Sequence, residues 1–489
     1  MSDKLKVLFL SSEAVPYAKT GGLADVAGSL PLALKKLGID IRLVLPLYSM
    51  VRKGNFPIRP LIENLEVPLG MEMFKANILE TRADTGLPVY LIERDDLYDR
   101  PNLYGNSMGD YYDNLERFTF FTHAALCIIQ AISFKPDLIH CNDWQTGLIP
   151  ALIKGPYHNN PFIREIPAVF TIHNLGYQGI FPSEKLSVTG LLKEKFFHPE
   201  GIEFWKKISL LKAGIIYSEA ITTVSPTYAK EIQTSEYGMG MDGILHHRRA
   251  FLYGILNGVD YKLWNPETDT HIPAHYSLEN IGGKAQCKES LIKEMGLKLS
   301  LKTRPVLGMT TRLDTQKGLD LFVEILNDIL NLDVGLVILG SGDEDILQDK
   351  IRAAAEKHPG LVGLKIGFDE SIAHRIMAGV DIFLIPSRYE PCGLTQMYAL
   401  KYGTIPVVRA TGGLEDTIIP FDIQSGEGNG FKFGHYKPEA LFKAVQDAVE
   451  LFQNSNAWEK IRENGMKADF SWNRSARAYL EIYQSLVRD

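Results

Sequence analysis

The sequence carries, close to its start, the stretch Lys19-Thr20-Gly21-Gly22-Leu23-Ala24-Asp25-Val26. An apolar run at residues 7–10 precedes it, and leucines at helical spacing over residues 30–37 follow it. The pattern predicts a strand, a glycine loop and a helix, with a lysine on the loop. Because glycines let a ligand approach the backbone and a helix N-terminus offers free N–H groups, the stretch indicates a site for an anion such as phosphate. A tight turn with a solvated lysine is the alternative.

Runs of strand length alternate with runs of helical spacing along most of the chain, which predicts doubly wound parallel sheets. In the first half the sequence predicts strands at residues 7–10, 41–45, 138–141, 168–172 and 220–224, and helices at 115–131 and 203–213. Residues 61–92 carry short β-type runs and turn residues, which predict a segment rich in hairpins. A second series has strands predicted at residues 251–256, 305–309, 335–339, 364–366, 382–385 and 405–408, with helices at 319–329 and 346–357.

A chain of 489 residues is too long for a single core, and the two series predict two Rossmann-like α/β domains. The first covers residues 1–248 and the second residues 249–470, while a helix at residues 471–489 is expected to cross back to the first domain. Ligands of open parallel sheets bind at the carboxyl ends of the strands, so we expect the active site in the cleft between the domains. Thr-Gly-Gly-Leu-Glu-Asp at residues 411–416 echoes the opening stretch and suggests two similar halves that face one ligand.

The composition of the chain argues against two kinds of binding partner, nucleic acids and membranes. A net charge of −7 argues against a nucleic-acid binder, and no apolar run is long enough to span a membrane. Four cysteines without paired spacing suit a reducing compartment, and the N-terminus shows no signal segment, so we expect a cytoplasmic protein. With this net charge, we expect the protein to bind a small molecule or a neutral polymer rather than a charged macromolecule.

Two predicted strands of the first half end in segments with polar and aromatic side chains. Asp143 and Trp144 follow the strand at 138–141, and His173 and Asn174 follow the strand at 168–172. Trp144 can stack on the apolar face of a sugar ring, although a core tryptophan is an equally good interpretation. His173 can donate a hydrogen bond to a substrate hydroxyl, although a lone histidine is more often structural.

The second half supplies cations and a carboxylate at the ends of its own strands. Arg312 and Lys317 follow the strand at 305–309 and form a possible anion clamp, with a solvated turn as the alternative. Glu390, followed by Gly393 and Leu394, comes after the strand at 382–385 and can accept hydrogen bonds from sugar hydroxyls; a helix-capping glutamate is the alternative. No cluster has the spacing of metal ligands, and we expect the cations and helix starts to neutralise a diphosphate without a metal.

Taken together, these segments resemble the bacterial glycogen synthases and plant starch synthases, which use ADP-glucose. The resemblance is carried by residues 19–26, 142–147, 171–179, 222–226, 257–260, 312–318, 387–403 and 411–416. It implies a GT-B fold of two Rossmann-like domains. It also implies a retaining glycosyltransferase that moves glucose from ADP-glucose to the non-reducing end of an α-1,4-glucan such as glycogen, with no metal or other cofactor and no nucleic-acid or membrane partner.

The resemblance also implies roles for individual residues. Arg312 and Lys317 would hold the diphosphate and stabilise the departing ADP, Glu390 would grip glucose hydroxyls, and His173 would contact glucose near the reacting carbon. The substrate-binding residues would be Lys19, Gly21, Gly22 and Asp25 on the first loop, Asp143, Trp144 and Asn257 at the donor–acceptor junction, Cys392, Gly393 and Leu394 at the glucose hydroxyls, and Phe368 on the adenine. Asn174 and Thr395 complete the predicted substrate-binding residues.

Tyr398 stands where many related transferases have a second glutamate, so no second catalytic carboxylate is assigned. Two other functions remain open at this point. The first is a related retaining glucosyltransferase that uses UDP-glucose or a small acceptor. The second is a glucan-binding protein without catalysis on the same fold.

Overall fold

The computed structural model describes residues 4–83, 86–106, 108–342 and 345–487. The chain divides into two compact units, Met1–Gly258 with Trp472–Asp489, and Val259–Ser471. In each unit parallel strands alternate with helices along the chain, so the predicted fold class of two doubly wound α/β units is confirmed. No helix of the described residues is long and apolar enough to cross a membrane.

The parallel strands are short and mostly buried along their length, which is typical of sheets covered on both faces. The strands of the first unit are β1 (Lys6–Leu10), β2 (Asp40–Pro46), β3 (Arg59–Leu69), β4 (Glu72–Arg82), β5 (Pro88–Glu93), β6 (Gly105–Asn106), β7 (Gly109–Asp110), β8 (Leu138–Asn142), β9 (Ala168–Ile172), β10 (Ile180–Pro182), β11 (Glu203–Phe204), β12 (Lys207–Ser209), β13 (Ala220–Thr223) and β14 (Leu252–Gly254). The strands of the second unit are β15 (Val306–Arg312), β16 (Gly335–Ser341), β17 (Val362–Ile366), β18 (Ile382–Ile385), β19 (Ile405–Arg409) and β20 (Phe431–Phe433).

The helices connect these strands. In chain order they are α1 (Gly22–Lys36), α2 (Ser49–Lys53), α3 (Asp95–Tyr98), α4 (Asn114–Ala131), α5 (Ile149–Lys154), α6 (Lys193–Phe196), α7 (Leu210–Tyr217), α8 (Pro226–Glu231), α9 (Asp242–His247), α10 (Gly282–Glu294), α11 (Leu319–Leu330), α12 (Asp345–Lys357), α13 (Glu370–Gly379), α14 (Thr395–Lys401), α15 (Gly412–Thr417), α16 (Pro438–Phe452), α17 (Ser455–Lys467) and α18 (Trp472–Val487). Short 3-10 turns lie at Trp144–Thr146, Ser183–Thr189, Arg249–Phe251, Leu299–Thr303 and Thr315–Lys317.

The first unit contains a nine-stranded sheet in the order β14-β13-β9-β8-β1-β2-β5-β4-β3. The chain runs outward from β1 through β2 on one side and later returns to β8 on the other side of β1. This reversal is a topological switch point, where a crevice opens at the carboxyl ends of the strands. The loops after β1 and β8 therefore leave the sheet side by side. The last helix, α18, packs on this unit, and its Tyr483 OH lies 2.5 Å from His140 Nδ1 on β8.

The second unit contains a six-stranded parallel sheet in the order β17-β16-β15-β18-β19-β20. Its switch point lies between β15 and β18, because β16 and β17 extend the sheet on one side of β15 and the later strands extend it on the other. The loops after β15 and β18 are thus neighbours. These are the loops that carry Arg312 with Lys317, and Glu390.

Two local predictions are wrong. Residues 203–209 form the β11–β12 hairpin rather than a helix, because Trp205 and Lys206 adopt positive φ angles of 50° and 61° and reverse the chain. The strand predicted at 251–256 does not open the second sheet, since β14 pairs with β13 at the edge of the first. The hairpins predicted over residues 61–92 are confirmed, since β3 pairs antiparallel with β4 and β4 with β5, and these strands extend the first sheet.

Candidate active site

The loop after β1 is anchored on a buried carboxylate, Glu13, which is 4% exposed. Its Oε2 accepts hydrogen bonds from the backbone N–H groups of Thr20 (2.5 Å) and Gly21 (3.2 Å), and its Oε1 accepts from Tyr104 OH (3.1 Å). Burial raises the pKa of Glu13, while the hydrogen bonds from Thr20 and Gly21 oppose that shift. Glu13 therefore folds the loop of residues 14–21 back onto the end of β1.

The glycine pair itself faces open space. A Cβ atom added to Gly21 or Gly22 would meet no atom within 4 Å. The N–H group of Gly22 donates no hydrogen bond to any described residue, and helix α1 begins there. Lys19 Nζ lies 2.8 Å from Asp25 Oδ1, so the loop presents a lysine that is already paired with a carboxylate. The anion site predicted for this loop thus has an exposed helix N-terminus and a nearby cation.

Asp143, directly after β8, is held in a strained and buried position. Its φ angle is 55°, a backbone conformation that residues other than glycine rarely adopt. Holding a residue in this conformation costs about 1–3 kcal/mol. Its Oδ1 accepts the backbone N–H of His173 at 2.7 Å. Burial raises the pKa of Asp143 to about 7, against the lowering effect of the N–H groups of His173 and Asn174. A carboxyl group with a pKa near 7 at the end of a central strand is typical of functional sites.

His173, after β9, is fixed in one tautomer by Asn142. Asn142 Nδ2 donates to Leu10 O (2.8 Å), so Asn142 Oδ1 must accept from His173 Nε2 (2.9 Å). The ring therefore carries its proton on Nε2 and presents a lone pair at Nδ1, which has no hydrogen-bond partner among the described residues. Burial lowers the pKa of His173 to about 3, so the ring is neutral. Its free nitrogen accepts a hydrogen bond, whereas the sequence led us to expect a donor.

The other candidates of the first unit differ in how far they reach the surface. Trp144 is only 8% exposed and packs edge-on against Phe118 at 4.9 Å between ring centroids, so it lies in the core. Asn174 is half-buried and accepts the N–H of Gly176 at 2.9 Å. Asn257 follows β14, and its buried Oδ1 has no hydrogen-bond partner within the described residues.

In the second unit, the switch-point loops meet through an ion pair. Lys317 Nζ lies 2.7 Å from Glu390 Oε2, which also accepts Ser387 Oγ at 2.8 Å. Glu390 Oε1 has no partner among the described residues and remains able to accept a ligand hydroxyl. Arg312 donates to Gln316 Oε1 at 2.9 Å, and its side chain is 46% exposed.

A cavity of about 200 Å³ lies at these loops. Its lining includes Arg312, Lys317, Ser387, Glu390 and Thr395. Two cations and a carboxylate around one cavity can bind a group that carries both negative charge and hydroxyls. The sequence had predicted this combination for these residues, and the structure brings them together.

The segment after Glu390 offers backbone donors. Gly393 has a φ of 68°, and the N–H groups of Gly393 and Leu394 donate no hydrogen bond within the described chain. Cys392 is buried, while Gly393, Leu394 and Thr395 are half-buried. Helix α14 begins at Thr395, so these free N–H groups lie just before a helix N-terminus.

The second Thr-Gly-Gly-Leu stretch does not repeat the role of the first. A Cβ atom on Gly412 would lie 2.0 Å from Glu390 O, and one on Gly413 would lie 2.1 Å from Cys392 O. Gly413 N also donates to Glu390 O at 3.2 Å. These glycines therefore let α15 pack against the Glu390 loop and support it from behind, whereas Gly22 faces open space.

Two further positions stand apart from the ion pair. Phe368 follows β17 and is 78% exposed, with two strands between it and the Glu390 loop. Tyr398 is buried and stacks on Trp264 at 4.0 Å with an interplanar angle of 3°. Tyr398 is thus a packing residue, as expected where the related second glutamate is missing.

Glu13, Asn142 and Ser387 were not among the site residues predicted from the sequence. Each acts on a candidate residue through a hydrogen bond, and each lies at the carboxyl end of a strand or within the loop that follows it. A carboxylate six residues before Lys19, after a fully apolar strand, was the available signal for Glu13. Among the described residues, no group of three or more His, Cys, Asp or Glu side chains is arranged to hold a metal ion.

Two family models together match most of the chain. The family model described as "Starch synthase catalytic domain" matches residues 6–247, and the one described as "Glycosyl transferases group 1" matches residues 294–467. Among curated proteins, the chain is 45% identical to a glycogen synthase of Syntrophotalea carbinolica over 483 residues, covering 99% of both. It is 46% identical to a glycogen synthase of Geotalea uraniireducens over 486 residues, covering 98% of both.

Solved structures give the same picture. The catalytic domain of starch synthase IV from Arabidopsis thaliana, bound to ADP and acarbose, superposes with a TM-score of 0.93 at 33% identity over 100% of both chains. A sucrose-phosphate synthase from Thermosynechococcus elongatus has a TM-score of 0.61 at 15% identity over 99% of both chains, which is a likeness of fold alone.

Proposed function

The chain belongs to the family of bacterial glycogen synthases and starch synthases, and is therefore a glycosyltransferase with the GT-B fold; on this premise we propose that it transfers glucose from ADP-glucose to an α-1,4-glucan. The observation that carries the proposal is the cavity at the second switch point, with Arg312, Lys317 and Glu390 on its wall. A nucleotide sugar joins a diphosphate to a sugar with hydroxyls, and these three side chains complement both parts.

The residues of the second unit would bind the donor. Arg312 and Lys317 would hold the diphosphate, and Glu390 Oε1 with the N–H groups of Gly393 and Leu394 would hold glucose hydroxyls. When the bond between glucose C1 and the diphosphate oxygen breaks, negative charge develops on the leaving group. Fixed cations at that point stabilise the transition state, and the loss of one such contact typically costs about 10²–10³ in rate. Phe368 is proposed to stack on the adenine, supported by its exposure.

The residues of the first unit would bind the reacting glucose and the acceptor. His173 Nδ1 would accept a hydrogen bond from a glucose hydroxyl, and Asp143, Asn174 and Asn257 would offer further polar groups. We propose that the acceptor hydroxyl at the non-reducing end of the glucan attacks C1 on the face that the diphosphate leaves. Because attack and departure occur on the same face, the configuration at C1 is retained. The proton of the attacking hydroxyl passes to a diphosphate oxygen. Lys19 and Gly22 would contact the donor from this unit.

We propose that the reaction needs no metal ion. The support is positive: two cationic side chains, Arg312 and Lys317, line the cavity and can neutralise the diphosphate. A cytoplasmic location is proposed as well, supported by four cysteines that form no disulfide among the described residues.

The test is the initial rate of labelled glucose incorporation into glycogen from ADP-glucose and from UDP-glucose, each with and without EDTA. We expect ADP-glucose to be the faster donor and EDTA to have no effect. A higher rate with UDP-glucose would overturn the choice of donor, and a loss of rate in EDTA that Mg²⁺ restores would overturn metal independence. Tight glycogen binding without transfer from either donor would contradict the proposed activity.

A further inference from the structure

Gln396, in the first turn of α14, is a fully buried residue whose amide lies against the segment that follows Glu390. Its Nε2 donates hydrogen bonds to Cys392 O at 3.0 Å and to Gly393 O at 2.9 Å. Carbonyl oxygens only accept hydrogen bonds, so the amide atom that faces both of them must be the nitrogen. The partners of Gln396 therefore determine how its side-chain amide is turned.

The two carbonyls belong to the peptide groups that carry the N–H of Gly393 and the N–H of Leu394. A trans peptide group is planar, and its C=O and N–H bonds point in opposite directions. Because Gln396 binds both oxygens, both N–H groups point away from its amide. Neither N–H donates a hydrogen bond within the described chain. The side chain of Gln396 thus fixes the direction of two backbone donors that a ligand can use.

The contacts of Gln396 differ from those of a residue that caps a helix. In a capping box, a glutamine or glutamate in the first turn accepts a hydrogen bond from a backbone N–H. Gln396 instead donates to carbonyls, and its buried Oε1 has no hydrogen-bond partner among the described residues. A buried acceptor without a partner lowers stability. An arrangement that accepts this cost and leaves nearby N–H groups unbound indicates a role in ligand binding rather than in capping.

Two neighbours hold the Gln396 amide in place. Thr417 Oγ1 on α15 donates to Gly413 O at 2.6 Å, so its oxygen is left to accept from Gln396 Nε2 at 3.2 Å. On the other side, a Cβ atom added to Gly393 would lie 2.5 Å from Gln396 Oε1. Any larger residue at position 393 would therefore push the amide away from the carbonyls that it binds.

We propose that Gln396 is a positioning residue for glucose transfer, which directs the N–H groups of Gly393 and Leu394 toward hydroxyls of the donor glucose. Backbone donors that are fixed before the ligand arrives need no reorganisation during the reaction. The inference rests on the proposed function, in which these N–H groups bind glucose while Arg312 and Lys317 bind the diphosphate. Loss of the Gln396 amide should therefore weaken recognition of the glucose and leave the affinity for ADP unchanged.

The decisive variant is Gln396→Glu, which keeps the size of the side chain but, as a carboxylate, cannot donate to the two carbonyls. Gln396→Met removes the donor without adding a charge and carries the same prediction. Asn464→Asp is the matched control, because Asn464 Nδ2 also donates to two backbone carbonyls of the second unit, Gly426 O and Gly428 O, each at 2.8 Å. These carbonyls lie on the loop that precedes β20, at the amino ends of the strands.

The measurements are kcat and KM for ADP-glucose, the inhibition constant of ADP and the unfolding temperature. We expect both Gln396 variants to lower kcat/KM for ADP-glucose roughly ten- to hundredfold, as for the loss of two hydrogen bonds, without changing the inhibition constant of ADP. Asn464→Asp should change only the unfolding temperature.

Donor analogues that each lack one glucose hydroxyl test the contact itself, with release of ADP as the signal. An analogue without a hydroxyl that these N–H groups bind should react more slowly than ADP-glucose in the wild type. That penalty should be smaller in the Gln396 variants, because their N–H groups no longer point at the hydroxyl.

The inference is overturned if both Gln396 variants keep kcat/KM, if they weaken ADP by the same factor, if Asn464→Asp has the same effect, or if every analogue has the same penalty in all proteins. Should the wild type transfer no glucose from ADP-glucose, the dissociation constants of ADP-glucose and ADP give the same comparison. Weaker binding of ADP-glucose alone in Gln396→Glu would then support the positioning role while the proposed function fails, and any equal change for both ligands would overturn the inference.

Discussion

Lys317 Nζ and Glu390 Oε2 lie 2.7 Å apart, and this ion pair joins the two loops that leave the second sheet at its switch point. Ser387 Oγ donates to the same carboxylate oxygen at 2.8 Å. The lysine is thereby fixed in direction before any ligand arrives, which is the kind of preorganisation that makes a cation effective in a transition state. Glu390 Oε1 remains able to bind a ligand. In the proposed donor complex, Lys317 would therefore contact the diphosphate and Glu390 the glucose.

Lys317→Met should lower kcat by about 10²–10³, because it removes a cation from the leaving group. Glu390→Gln should also lower the rate, since the lysine then loses its fixed partner. The double variant should lose less than the product of the two single losses, because the residues act as a unit. Initial rates of glucose transfer for the four proteins give this coupling directly.

The control for this pair is Lys185→Met. Lys185 Nζ lies 2.8 Å from Glu116 Oε1, a pair of similar geometry in the first unit. Its loss should leave the rate unchanged. Full activity in Lys317→Met, or strict multiplication of the two single losses in the double variant, would contradict the assigned role of the pair.

Glu13→Ala should raise the KM for the donor, because the N–H groups of Thr20 and Gly21 lose their acceptor and the glycine loop is no longer held. Loss of a hydrogen bond to a charged acceptor costs about 1.5–3 kcal/mol, so roughly a tenfold effect or more is expected. Glu13→Gln should restore part of the affinity, since its amide oxygen still accepts. Glu80→Ala, another buried carboxylate on β4, should lower thermal stability without changing this KM. Equal KM values for Glu13→Ala and Glu80→Ala would show that Glu13 is merely structural.

Asp143→Asn should stabilise the protein above pH 7 while it reduces the rate of transfer. The pKa of Asp143 is raised from 3.8 to about 7, so the native state holds a proton that the unfolded state loses across that window. Stability therefore falls as pH rises from about 4 to about 7, and asparagine, which keeps the acceptor for His173 N, removes this loss. The gain in unfolding temperature should be larger at pH 7.5 than at pH 5.

Asp137→Asn is the matched control for this pH dependence. Asp137 lies just before β8 at the opposite end of the strand, where its Oδ2 accepts Lys6 N at 2.7 Å. The change in unfolding temperature of Asp143→Asn is compared with that of Asp137→Asn at each pH. A stability difference for Asp143→Asn that does not change between pH 5 and pH 7.5 would refute the raised pKa.

Much of the fold could be predicted because buried parallel strands are continuous apolar runs. The strands at Ala168–Ile172 and Ile382–Ile385 were predicted to the residue. The hairpin at residues 203–209 was not, because its apolar spacing also suits a helix and the positive φ angles of Trp205 and Lys206 leave no mark in the sequence. The pairing of β14 with the first sheet was missed as well, since a short apolar run does not reveal its neighbours.

The candidate site could be predicted as a set of strand ends, but not as a set of contacts. The topology explains why Arg312 and Lys317 meet Glu390, since β15 and β18 are neighbours at the switch point. The role of Glu13 depends on the loop folding back over seven residues, and the free nitrogen of His173 depends on how the amide of Asn142 is turned. Both contacts are properties of the folded chain; the position of Glu13 after an apolar strand marks the residue in the sequence, but not the groups that it binds.

The two Thr-Gly-Gly-Leu stretches should respond in opposite ways to the same substitution. Gly22→Ala meets no atom within 4 Å, and alanine favours a helix more than glycine does, so the unfolding temperature should stay or rise slightly. The KM for the donor should increase, because the added methyl group stands where a ligand would approach the helix N-terminus. Gly413→Ala forces a Cβ atom to 2.1 Å from Cys392 O and should destabilise the second unit by about 1–3 kcal/mol. Thermal unfolding and donor KM, measured on both variants, separate the two roles. An unchanged KM for Gly22→Ala would remove the first stretch from the donor site, and an unchanged unfolding temperature for Gly413→Ala would show that the contact between α15 and the Glu390 loop carries no stability.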